Sequence, residues 1–144
     1  MIQHIDVHAV LRQSVSGSYT DLVTRPTGRA VRERIEQAFL AEASVARMDF
    51  TGVGCIDYSC ADEIVAKLLR ERVHVLLLSG LTEGHREAIE PVLAGHGLAV
   101  VLQRADGTLE PLGPPDQAAA LLEELITRRL ATRTPGGGLH LTAA

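Results

Sequence analysis

Aromatic side chains are scarce in this chain of 144 residues, with Tyr19, Phe39, Phe50 and Tyr58 the only four and no tryptophan. A net charge of -4 adds no basic field. Nucleic-acid binding draws on both a positive surface and stacking platforms, so nucleic acid is not an expected partner. Only two cysteines occur, Cys55 and Cys60, too few for a disulfide framework; both read as reduced, buried thiols. No apolar run approaches the roughly 20 residues that span a bilayer, and Met1 to Asp6 lacks a basic segment leading into an apolar core. The expectation is a cytoplasmic protein with no membrane partner.

Site-forming motifs are thin as well. Gly52-Val53-Gly54 and Gly136 to Gly138 lack the lysine of a phosphate loop and the strand-glycine-helix spacing of a dinucleotide site. His4 and His8 stand four apart without a third ligand nearby in sequence. His74 falls within an apolar strand and reads as a core or sheet-face histidine, whereas His85 and His96 lie near helix ends and read as solvated. No metal and no cofactor is expected.

Apolar residues make up 46% of the chain and charged residues 22%, an ordinary globular balance. The length suits one domain. Ile2 to Leu11 reads as a first strand, able to pair as a hairpin with Tyr19 to Val23 across the polar turn Ser14 to Ser18. Pro26 stops that second strand, and Val31, Ile35, Ala38 and Phe39 then mark one face of a helix over 27–43. Later elements are a strand at 73–78, a helix at 83–94 interrupted or kinked at Pro91, and a strand at 98–102. Asp106-Gly107 signals a hairpin into 108–112, and a last helix over 116–131 buries Ala119, Leu122, Leu125, Ile126 and Leu130. From Thr132 onward the chain reads as a flexible tail.

The stretch from Val45 to Arg72 organises the rest. Val45 to Phe50 is an apolar strand; Thr51 to Ile56 is a short turn; Asp57-Tyr58-Ser59-Cys60-Ala61-Asp62-Glu63 opens a helix. Ile64, Val65, Leu68 and Leu69 share one helical face, which leaves Glu63, Lys67, Arg70 and Glu71 to the other. Asp57 and Ser59 carry the short side-chain oxygens that cap helix starts, and Asp62 and Glu63 suit the positive end of the dipole. Strand, helix and the strand at 73–78 predict a βαβ unit with parallel pairing and a right-handed crossover. The fold class is α/β, a mixed sheet of about five or six strands with about four helices.

Phe50-x2-Val53-x2-Ile56-Asp57-x-Ser59 is similar to the centre of STAS domains, the family of anti-sigma factor antagonists. Asp57-Tyr58-Ser59-x-Ala61-Asp62-Glu63 resembles, more narrowly, the STAS-like domains of unknown function found beside histidine-kinase-type ATPases. The specific match covers about 20 residues, and the resemblance implies a single STAS-like domain over 1–131. Tyr58 stands where the family has a small hydroxyl residue and Cys60 where it has glycine. The resemblance implies a bacterial signalling domain without catalytic activity. Ser59 would be its phosphoacceptor, and its partner a histidine-kinase-type ATPase or anti-sigma factor. Partner-binding candidates are Asp57, Tyr58, Ser59, Asp62, Glu63, Lys67 and Arg70. Two alternatives stay open: Ser59 as a helix cap and nothing more, and a small ligand-binding domain or enzyme that uses the Asp57–Glu63 helix mouth.

Overall fold

The computed structural model describes residues 2–15, 20–39, 45–136 and 138–142. Five strands form one sheet in the order β1 (Ile2–Asp6), β2 (Val45–Asp49), β3 (Val75–Ser79), β4 (Val100–Gln103), β5 (Leu109–Leu112). The first four run parallel and β5 returns antiparallel to β4. Val45 pairs with Val75, so the expected parallel βαβ core is present. The Asp106-Gly107 hairpin is also where its dipeptide placed it, with Gly107 at φ 89°.

Side chains alternate across a strand, so each strand feeds two cores. Ile5, Met48, Leu76, Leu78 and Leu102 face one layer of helices: α1 (Val7–Ser14), α2 (Arg25–Ala38), the rod of α3 (Tyr58–Ala61), a π turn (Asp62–Ala66) and α4 (Lys67–Glu71), and α5 (Glu83–His96). Val45, Val75, Leu77, Val101 and Leu109 face α6 (Pro115–Thr127) and a small antiparallel ribbon, β6 (Ala131–Arg133) with β7 (Leu139–Leu141). Burial on both sides explains why β3 is a continuous apolar run.

Several expectations are corrected. Residues 7–11 continue as helix, because Val7 and Leu11 repeat with a period of four and Asp6 accepts from the Ala9 amide at 3.1 Å as its cap. The N-terminal hairpin is therefore absent: β1 pairs with β2, and Leu22 forms a parallel bridge to Ile56. Tyr19 lies outside the described residues, as do 40–44 at the expected end of the second helix. That helix begins at Arg25, two residues early, because a proline at the first turn loses no hydrogen bond. α5 runs unbroken through Pro91 to a left-handed Gly97. In α6 the buried residues are Leu121 and Leu125, while Ile126 and Ala119 are exposed. The ribbon occupies part of the expected tail; its Thr134 amide is held by the Gly138 carbonyl at 2.8 Å. No helix among the described residues is long and apolar enough to cross a membrane.

Candidate functional site

The helix mouth is built from two segments far apart in sequence. Residues 20–24 lie as a strap along the turn after β2: Gly54 donates to the Thr20 carbonyl at 2.6 Å, Leu22 to the Cys55 carbonyl at 2.7 Å, and Asp57 to the Leu22 carbonyl at 3.0 Å. The Asp21 carboxylate accepts from the Cys55 amide at 2.7 Å. Each bond satisfies a loop amide that has no ladder partner of its own.

Asp57 is the helix cap, and Ser59 is not. Oδ1 of Asp57 accepts from the Cys60 amide and from the Ser59 hydroxyl, both at 2.8 Å, and Oδ2 accepts from the Thr24 amide at 2.9 Å. Ser59 already lies inside the first turn, so its hydroxyl turns back to the capping carboxylate. Partial burial opposes the charge on Asp57, but these donors outweigh it and hold the carboxyl below its ordinary pKa. Thr24, tied to this clamp, has φ 69°, a costly conformation for a β-branched residue. Its carbonyl also accepts from the Cys60 thiol at 3.1 Å. Burial is the chief cause that pushes that thiol up to about 12, so Cys60 is an inert packing residue. Cys55, expected to be buried, is exposed on the turn.

Beyond the mouth the acidic residues do not face solvent as their helical positions suggested. The π turn inserts a residue into the rod, with Lys67 N–H reaching the Asp62 carbonyl, and Glu63 to Ala66 are all buried. Glu63 is fully buried between this rod and α2. Around it stand Lys67 at 2.8 Å, Arg25 at 3.5 Å, Arg29 at 3.7 Å and Arg32 at 3.8 Å. Asp62 pairs with Arg25 and with His96 Nε2, both at 2.8 Å. Burial works against its charge, but these partners prevail and lower its pKa. The two acids are thus neutralised within the fold.

The structure brings Asp57, Tyr58 and Ser59 together at the mouth with Asp62 beside them; Glu63 is internal, Lys67 is half-buried against it, and Arg70 is exposed farther along the rod. Sequence reasoning missed Thr24, Arg25 and His96, which complete the cluster, because nothing local links them to Asp57 or Asp62. Among the histidines, His74 is exposed just before β3 and His85 is 1% exposed, the reverse of expectation. His4 lies in β1 and His8 in α1, so they share no strand face, and no group of metal-ligating side chains occurs among the described residues.

The mouth predicts an acid-sensitive stability. A carboxyl whose folded pKa is depressed contributes stability above its unfolded pKa, about 4, and loses it as pH falls through the folded value. Both Asp57 and Asp62 act in this sense. Asp57→Asn is expected to cost about 1–2 kcal/mol in urea melts at neutral pH, and less in strong acid, as the pH falls through the depressed folded value and the wild-type carboxyl protonates. An equal deficit at both pH values would remove the ionised cap.

Comparison of the chain with protein-family models, with curated proteins and with solved structures finds no match.

Proposed function

We propose that this chain is a non-catalytic, cytoplasmic protein-interaction domain of the anti-sigma factor antagonist kind. Its docking surface is the mouth around Tyr58 and Ser59, and its partner is a histidine-kinase-type ATPase or anti-sigma factor. The observation that carries this reading is the position of Tyr58. It is 51% exposed, and Val23, 43% exposed, lies on the strap beside Thr24, whose amide binds Asp57; these are two of the three large apolar side chains left exposed among the described residues. Aromatic side chains in such settings anchor interfaces. The electrostatics favour binding over catalysis: general acid-base work needs a pKa near the operating pH, and Asp57 and Asp62 are both held below the ordinary range.

Phosphorylation of Ser59 would act through Asp57. A phosphorylated oxygen no longer donates a proton to Asp57 Oδ1, and about -1.5 to -2 charges would stand beside that carboxylate. Asp57 also holds the strained Thr24, so repulsion there loosens the strap where it meets the helix start.

The test is affinity for an ATPase-type kinase purified from the same host. Tyr58→Ala is expected to weaken binding at least about tenfold with little change in Tm, because the ring is half-exposed. Ser59→Asp should weaken it more than Ser59→Ala, whose lost hydrogen bond costs only about 1 kcal/mol of stability. Wild-type affinity in both Tyr58→Ala and Ser59→Asp would overturn the reading.

A further inference from the structure

A second set of polar groups, none of them in the mouth, converges at the carboxyl ends of β2, β3 and β4. Asp49 pairs in register with Ser79, and Ser79 with Gln103, so three polar side chains form a row across neighbouring strands. They point to the sheet face that α6 covers lower down, and Arg47 precedes them on that face by one strand repeat. These four residues line an open cavity of about 500 Å³.

Their hydrogen bonding is incomplete. Arg47 Nε, Ser79 Oγ and Gln103 Oε1 are buried without a partner among the described residues. The other two buried atoms in that condition, Arg32 Nε and Glu63 Oε2, belong to the Glu63 cluster, where opposite charges stand within 4 Å. A buried polar group left unpaired costs about 1–3 kcal/mol, so three around one cavity mark a place where an added polar partner is favoured. Arg47 also has no ion pair among the described residues, whereas Arg86 and Arg104 at the rim are engaged by Glu90 and Glu110. Asp49 has one oxygen committed to Thr51, whose amide and hydroxyl donate to Oδ1 at 2.9 and 2.7 Å, and Oδ2 takes no hydrogen bond among the described residues. Gly80, at φ 69°, lets this turn close: a Cβ there would fall 2.6 Å from Asp49 Oδ1.

The free groups are thus a guanidinium, a carboxylate oxygen, a hydroxyl and an amide oxygen. We propose that this cavity binds a small zwitterion of the free α-amino acid class. The ligand carboxylate lies on the Arg47 guanidinium and the Ser79 hydroxyl, and its ammonium on Asp49 Oδ2 and Gln103 Oε1, the Ser79 and Gln103 side chains turning outward from their buried positions to meet it. A guanidinium suits a carboxylate because its fork can meet both oxygens. The carboxyl ends of parallel strands are the usual place for such sites in open α/β sheets, and the volume lies within the ordinary range for ligand pockets. This site goes beyond the partner surface proposed above and stands or falls independently of it.

The experiment is isothermal titration of the purified chain with each proteinogenic L-amino acid at millimolar concentration. Any that binds is retested as its deaminated acid and its decarboxylated amine. The expected result is saturable binding of at least one amino acid, with both stripped counterparts weaker by about tenfold or more. Arg47→Gln and Asp49→Asn should each weaken it comparably. Ser79→Ala should weaken binding while leaving Tm of the free protein unchanged or higher, because it removes an unpaired hydroxyl; this also keeps the test decisive if Arg47→Gln fails to fold. Binding by none of the amino acids, equal binding of the stripped acid or amine, or full affinity in Ser79→Ala together with Asp49→Asn would overturn the proposal.

Discussion

Replacing Glu63 by alanine is expected to destabilise the protein by about 3–5 kcal/mol, the range for removing one side of a buried ion pair. Glu63 is fully buried, and the four cations around it are Arg25, Arg29, Arg32 and Lys67. The carboxylate sits close to the α2 side of the rod, so its loss leaves like charges converging on a space that water reaches poorly. Arg32, 16% exposed, is the least able to turn out to solvent, against 38% for Arg25 and 54% for Arg29, and would keep only its pair with Glu36. Lys67→Ala removes one of four cations and should cost only on the order of 1 kcal/mol. Glu63→Leu fills the volume without the charge and should fall between the two. At roughly 3 °C per kcal/mol for a chain of this size, Glu63→Ala should lower Tm by roughly 10 °C. A loss for Glu63→Ala no greater than for Lys67→Ala, measured by urea denaturation, would refute the central role of this carboxylate.

The other large effect is expected at His85. Its ring is 1% exposed, with its centroid 5.7 Å from that of Phe50. The Thr82 amide donates to Nδ1 at 3.1 Å, which leaves the ring proton on Nε2, and Nε2 donates to the Gly54 carbonyl at 2.6 Å. A single side chain therefore caps α5, fills the core beneath β2 and anchors the turn that the strap also holds through Gly54 N–H. His85→Ala should open a cavity and leave the Gly54 carbonyl and Thr82 amide unpaired, about 3–4 kcal/mol in all. Thr82→Ala, which removes only the cap hydroxyl, should cost about 1 kcal/mol. Amide exchange should quicken at Gly54 and Leu22 in His85→Ala but not in Thr82→Ala, because only the former releases the turn. Equal stability losses in the two variants would show that the Gly54 contact carries no weight.

Both residues show where local reading stopped. Glu63 sits among polar positions of an amphipathic pattern, and a regular α-helix from Tyr58 would have turned it outward; the π turn and the neighbouring α2 place it inside. His85 follows a threonine cap, which suggests solvent, yet the turn after β2 packs over it. Asp57 and Ser59 are equal capping candidates in the sequence, because residue type cannot say which of two nearby oxygens reaches the free amide; the backbone gives that place to Asp57. The Ser79 cavity had no signal at all, since Asp49, Ser79 and Gln103 each end an apolar strand and resemble ordinary strand terminators.

What the sequence determined by itself is the α/β class, the parallel β2-helix-β3 unit, the Asp106-Gly107 hairpin and the place of most helices. Each of these depends on residues within about one element of each other: apolar runs of strand length, a period near 3.6, a turn dipeptide. Tertiary structure alone decided that residues 20–24 strap the helix mouth, that Glu63 gathers four cations, that 131–133 and 139–141 pair as a ribbon, and that Asp49, Ser79 and Gln103 align in one row. Except for the ribbon, whose strands are joined by residues 134–138, these depend on register between segments tens of residues apart. Shifting one strand by a single residue turns its side chains to the opposite face, and hydrophobic pattern along one segment carries no record of which residue lies beside it in the next.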